Sequence, residues 1–219
     1  MPPPLTSNPD LLETLLRTRL TDELGDTALA AELGSILFQE TLIYQAPERP
    51  VEGARLVLAF TFGNRMLPNG NRAPGPVNEA LAEIAAQLHR RTGAAILAQW
   101  EVAEALGPDI QVTPIYPARD QRGEPIYFGT QPAAAEMFRL ADTSGPALVV
   151  AFADHLRRAV MAARANGFDA YAPAGITMPS TYDPESGQAW CRTRLGYLLH
   201  DLMLRLADRR AAIVGAPWI

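Results

Sequence analysis

Between Gly145 and Pro173 the chain reads GPALVVAFADHLRRAVMAARANGFDAYAP, and this stretch restricts the fold more than any other. Ala147 to Phe152 is an apolar, β-branched run, the pattern of a strand covered on both faces. Asp154, His155, Arg157 and Arg158 follow at once and open an amphipathic helix. After a glycine turn, Phe168 to Ala172 supplies a second strand. Parallel strands need a crossover of this kind, so the unit predicts a parallel sheet. Such sheets take ligands beyond the carboxyl ends of their strands, which is where the ionisable cluster falls.

The rest of the chain repeats the alternation. ARLVLAFTFG (54–63) is a near-continuous apolar strand. The loop NRMLPNGNRAPG then leads to a helix over Pro76–Arg91, with Val77, Leu81, Ile84, Ala85 and Leu88 on one face. AAILAQWE and IQVTPIYP supply two further strands, separated by a short helix over Val102–Leu106. ARDQRGEPIYFG is polar and turn-rich, suited to a short hairpin or lid. Thr130 is placed to cap a helix over Pro132–Ala141. Residues 174–190 read as a long irregular loop, a kind of segment that often carries function. Cys191–Ala212 closes the chain as an amphipathic helix.

Ahead of the first strand, residues 9–45 carry leucine at helical spacing with glycine breaks near 25 and 34, and QAPERPVEG reads as a polar connector. Five strands alternating with helices predict an α/β three-layer sandwich, doubly wound, with a mainly parallel five-stranded sheet. The expected organisation is an N-terminal helical extension over 1–50 and one α/β domain over 51–219.

Composition narrows the function. Nineteen Lys and Arg against 24 Asp and Glu give a net charge of −5, which argues against a general nucleic-acid or anionic-membrane binder. The single cysteine, Cys191, excludes an internal disulfide and a cysteine zinc cluster. Three scattered histidines, His89, His155 and His200, do not suggest a metal site either. No apolar run reaches bilayer length, and the first residues lack the pattern of a secretion signal. The expectation is a cytoplasmic protein without metal, membrane or nucleic-acid partner.

Three segments carry candidate chemistry. In the loop after the first strand, Gly63 and Gly75 permit close backbone approach to a ligand, and Arg65 and Arg72 offer forked donors to a phosphate or carboxylate. Its spacing matches neither a Walker loop nor a dinucleotide fingerprint. Glu101, ending the second strand, is placed as a carboxylate that holds ribose hydroxyls; otherwise it complements a helix start while Trp100 fills the core. His155 and Arg158 lie three apart on one helical face. There His155 is a candidate catalytic acid or base, Arg158 an anion donor, and Asp154 a cap or a partner for the imidazole. Cations in a first turn oppose the helix dipole, and a bound anion would remove that cost. In the late loop Thr181, Tyr182, Asp183, Ser186, Gln188 and Trp190 form a polar and aromatic cover or a plain connector.

Several of these residues fall together in a known pattern. The strand and loop VLAFTFGNR, the helix PVNEALAEIAAQL, the strand ILAQWE, Thr130 opening TQPAAAEMFRLA, and above all His155-x-x-Arg158-Ala159 before GFDAYAP resemble the YdcF-like family, which includes the SanA and ElyC proteins. The resemblance runs from about Ala54 to Ala207. It implies a Rossmann-like fold with a cleft at the strand ends. It maps the family's clustered polar residues onto Asn64, Arg65, Glu101, Thr130, His155 and Arg158. It also implies S-adenosylmethionine as a ligand, since this chain lacks the anchor of the SanA and ElyC types.

The leading expectation is therefore a protein binding a small anionic or nucleotide-like metabolite in a strand-end cleft. Two alternatives stay open. One is a hydrolase or transferase acting on a phosphorylated or glycan-linked substrate with His155 as acid or base, although no nucleophile stands out. The other is a non-catalytic interaction module whose Leu11, Leu12, Leu15, Leu16 and Leu20 make a homodimer face.

Overall fold

The structure, a computed structural model, describes residues 9–118, 121, 126 and 128–215. These fall into two compact units, Gln45–Asp201 on the one hand and the described residues up to Tyr44 with those from Leu202 on the other. The last helix contributes to both units.

The larger unit is the expected α/β sandwich, with six strands in its main sheet in place of five. The strands are β1 (Glu48–Arg49), β2 (Leu56–Ala59), β5 (Ala95–Gln99), β6 (Val112–Ile115), β7 (Pro146–Val150) and β8 (Asp169–Pro173), in the order β1-β8-β7-β2-β5-β6. Every pairing is parallel. The extra strand, β1, comes from the segment read as a connector. Its residues are polar because it lies on an edge, and Arg49 donates to Asp169 of β8 at 2.9 Å. A second, two-stranded antiparallel ribbon pairs β3 (Arg65–Met66) with β4 (Arg72–Ala73) inside the loop after β2. The turn between them has Pro68-Asn69 at its centre, closed by Gly70 N donating to Leu67 O at 2.9 Å, and Gly70 follows with a φ of +82°.

Strand residues alternate between two cores. Val57, Ala59, Ile96, Ala98, Leu148 and Val150 face α3 (Pro76–Thr92), α4 (Trp100–Ala105) and the first turns of α7 (Arg194–Val214). Leu56, Leu58, Leu97, Ala147 and Val149 face α5 (Thr130–Leu140) and α6 (Leu156–Ala165). All four β2 residues are buried. Two apolar faces on one strand are what three layers require.

Several helix boundaries differ from expectation. Gly129, not Thr130, caps α5. Thr130 is the first helical residue, and its hydroxyl turns inward. Trp100 and Glu101 already belong to α4. A single 3-10 turn, Ala153–His155, precedes α6, so Asp154 is not its cap. A second such turn, Ala189–Cys191, delays α7 to Arg194. The hairpin expected over 118–129 lies largely outside the described residues; Ile126 N donates to Ala118 O at 2.8 Å.

In the smaller unit, α1 (Pro9–Leu24) and α2 (Thr27–Leu37) are joined at Gly25, and Asp26 caps α2 by accepting from Leu29 N at 2.9 Å. Gly34 does not break the helix. It lies within α2, where a Cβ would meet Arg17 Cγ of α1 at 2.7 Å, so the small residue lets the two helices approach. A wider turn follows at Phe38–Leu42. Arg205 Nη2 donates to Gln39 O at 3.0 Å and Ile43 O at 2.8 Å and so ties off carbonyls at the end of that turn. Leu11, Leu12 and Leu15 are exposed, while Leu16 and Leu20 are half-buried. Among the described residues no helix is long and apolar enough to cross a membrane.

Candidate functional site

The chain leaves β2 toward β5 on one side and returns through β7 on the other, so β2 and β7 flank the point where the winding reverses. Ligand crevices of doubly wound sheets open there. The loop after β2 delivers Thr61 to Arg65, the end of β5 delivers Gln99 to Glu101, and the turn after β7 delivers His155. Asn78 on α3 holds the first loop in shape. Its Oδ1 accepts from Thr61 Oγ1 and Phe62 N, both at 2.9 Å, and its Nδ2 donates to Gly63 O at 2.9 Å and Pro74 O at 2.6 Å. All four hydrogen-bonding sites of that buried amide are used.

One cavity at this end has a volume of about 40 Å³ and is bounded by residues that include Thr61, Gln99, Thr130, His155, Arg158, Cys191, Tyr197 and His200. A buried chain of polar groups forms its floor. Arg158 Nε donates to Asp201 Oδ1 at 2.5 Å, Nη1 to Thr130 Oγ1 at 2.5 Å and Nη2 to Tyr197 Oη at 3.1 Å. All three nitrogens of the guanidinium are engaged, so it is held in place and its charge is matched by Asp201.

Thr130 Oγ1 lies 3.1 Å from His155 Nε2. Arginine can only donate, so the hydroxyl proton of Thr130 remains for the imidazole. His155 Nδ1 and His200 Nε2 are buried without a hydrogen-bond partner among the described residues. Burial first, then the charges of Arg158 and His200, hold His155 well below the usual imidazole range, so it is neutral at pH 7. His200 is lowered as well, mainly by burial, and stacks on Trp190 at 4.9 Å. Burial pushes the Cys191 thiol up to about 12, which makes it unreactive.

A second cavity of about 40 Å³ adjoins the first, sharing Thr61, Gln99, Phe128 and Gln188 as walls. Arg72, Trp100 and Glu101 line its far side. Glu101 is 4% exposed, and its Oε2 has no partner among the described residues. Burial raises its carboxyl to about 7, against opposing hydrogen bonds from the backbone, Asn64 and Thr61 and the charge of Arg72.

The predicted residues therefore separate into three groups. Thr130, His155 and Arg158 meet at one cavity, with Gly63 in its wall. Glu101 and Arg72 meet at its neighbour, and buried Asn64 lies beside Glu101. Arg65 borders neither cavity. It binds Asp183 through two nitrogens, at 2.6 and 2.9 Å, and Glu185 through a third, so it fastens the late loop. That loop is latched again by Gly187 N donating to Asn64 O at 2.6 Å and by Tyr182 Oη donating to Asp154 Oδ2 at 2.8 Å. Asp154 also accepts from Arg194 and does not orient the imidazole.

Gln99, Asn78, Tyr197, Asp201 and His200 were not singled out by sequence. A signal existed for two of them. Tyr197, Asp201 and Arg205 are spaced i, i+4, i+8 on α7 and all are buried, a polar row where an apolar stripe belongs. Among the described residues no group of three or more His, Cys, Asp or Glu side chains could hold a metal ion. No protein-family model matches the chain, and neither the curated proteins nor the solved structures contain a match to it.

Proposed function

We propose that the protein binds a small anionic, sugar-bearing metabolite at the carboxyl ends of β2, β5 and β7, the sugar end of a nucleotide-like ligand included. The observation that carries this reading is Glu101 Oε2, a buried acceptor without a partner among the described residues, facing the same cavity as Arg72. A buried polar atom left unpaired costs about 1–3 kcal/mol, and a ligand hydroxyl would relieve that cost. Arg72 is exposed and supplies the cation for an anionic group. It takes over that role from Arg65 and Arg158, whose charges are already matched by carboxylates.

Size supports a small ligand. Each cavity has room for about three waters, and the pair for about six. That is close to the bulk of a pentose. A larger ligand such as S-adenosylmethionine would place only its sugar end within these cavities, since drug-sized ligands occupy roughly 300 Å³ or more.

Thermal unfolding with a panel of ribose 5-phosphate, adenosine monophosphate, S-adenosylmethionine and inorganic phosphate tests the reading. A sugar phosphate near 100 times its Kd stabilises by about 2.7 kcal/mol, a rise of about 5–10 °C for a chain of this size. Arg72→Ala and Glu101→Gln should each remove most of that rise. A panel without effect, or a rise that survives both substitutions, would overturn the proposal.

A further inference from the structure

The first cavity contains an arrangement that the Glu101 and Arg72 contacts of the sugar-phosphate reading do not touch. Thr130 Oγ1 has two neighbours with distinct duties: His155 Nε2 at 3.1 Å takes its proton and Arg158 Nη1 at 2.5 Å holds one lone pair, which leaves the second lone pair for an electrophile. A hydroxyl hydrogen-bonded to a neutral imidazole is the geometry of an activated nucleophile. Thr130 also opens an 11-residue helix, α5, whose Thr130 and Gln131 amides lack intrahelical partners and suit a developing oxyanion. A second observation points to a ligand here. His155 is 5% exposed and borders the cavity, yet its Nδ1 has no partner among the described residues.

We propose that Thr130 is a catalytic nucleophile, with His155 as its general base, for hydrolysis of acetyl-sized carboxylic esters. The charges at this site cancel, Arg158 against Asp201, which suits a neutral ester carbonyl better than a phosphate dianion. A cavity of about 40 Å³ admits an acyl group of only a few heavy atoms. In the first half-reaction Thr130 Oγ1 bonds to the carbonyl carbon and its proton passes to His155 Nε2. The bond from that carbon to the alcohol oxygen then breaks, and the leaving alkoxide takes the proton from Nε2. In the second half-reaction water attacks the acetyl-Thr130 carbon while its proton passes to Nε2. The Oγ1–carbon bond breaks and Oγ1 recovers the proton. Ester and water yield acid and alcohol. Asp201 and Tyr197 act as positioning residues through Arg158.

The proposal is independent of the sugar-phosphate reading, and p-nitrophenyl acetate, which carries neither sugar nor phosphate, tests it alone. The whole protein should release p-nitrophenolate with an initial burst, and peptide mapping should place the acetyl group on Thr130. Thr130→Val should lower the rate at least about 100-fold, Thr130→Ser should retain activity, and His155→Asn should cost about 100-fold or more. His155 is faced by Arg158 and His200 as charged or titratable neighbours, by Tyr197 and Thr130, and by the rings of Phe60 and Phe62. Burial first, then the charge of Arg158, keeps the base unprotonated, so the rate should stay flat from pH 8 down to pH 6. No acetylated peptide in the wild-type protein, an acetyl group elsewhere, or an unchanged rate in either loss-of-function variant would overturn the assignment.

Discussion

Glu101 and His155 are both buried ionisable groups, but they bind protons in opposite senses. In the folded chain Glu101 is raised from 4.5 to about 7. The native state therefore keeps a proton that the unfolded chain gives up, and stability falls as pH rises from about 4.5 to about 7. His155 is lowered from 6.5. There the unfolded chain takes up a proton that the native state refuses, and stability falls as pH drops below 6.5. Glu101→Gln deletes only the first effect. Between pH 5.5 and pH 8 the wild type should lose about 2 kcal/mol relative to this variant, from 1.36 kcal/mol per pKa unit. Urea denaturation at the two pH values measures the difference, and parallel stability curves would contradict the assignment. Sequence placed both residues at strand ends, because an apolar run followed by a charge is visible in one dimension. Neither burial nor an unpaired oxygen is visible there, since both depend on Asn64, Thr61 and the walls that later segments supply.

The loop after β2 is the element on which the site is hung, and its partner is the late loop. Gly63, with a φ of +73°, permits a left-handed turn, and a Cβ there would collide with Ser186 Oγ. The expected reason for a glycine at this position was approach to a ligand; the observed close approach is to residue 186. Gly63→Ala should combine backbone strain with this collision and cost roughly 3 kcal/mol, read as a lower denaturation midpoint with an unchanged slope. A cost below about 0.5 kcal/mol would mean that the two loops are not tightly coupled. Arg65 plays the same part with its charge, clamping Asp183 and Glu185. From the sequence it resembled an anion clamp because a forked donor in a glycine-rich loop looks alike whether its carboxylate belongs to a ligand or to residue 183. The short edge strand β1 was missed for a related reason. Two polar residues have no strand signal of their own and become a strand only when β8 offers them a ladder.

At the scale of the molecule, protection should follow the layers. Residues of β2, β5 and β7 are almost wholly buried between two cores, so their amides should exchange only at the limit of global unfolding. Helix α1 leaves four leucines exposed, Leu11, Leu12, Leu15 and Leu24, and should exchange by local opening at lower free energy. Hydrogen exchange read by mass spectrometry separates the two, and equal protection of α1 and β2 would refute the ranking. The layered architecture itself was legible. Continuous apolar strands with amphipathic crossovers have few ways to bury both sheet faces, and the parallel sandwich is one of them. The chemistry of the cleft was not. Linear order could nominate Arg65, Arg72 and Arg158 alike, because each stands near a strand end. Only the folded chain decided that Asp183 and Asp201 neutralise two of them while Arg72 borders the cavity of Glu101, whose Oε2 has no hydrogen-bond partner among the described residues. The reason is one of range: strand and helix patterns arise from neighbours a few residues apart, whereas the availability of a charge depends on a partner 43 to 118 residues away.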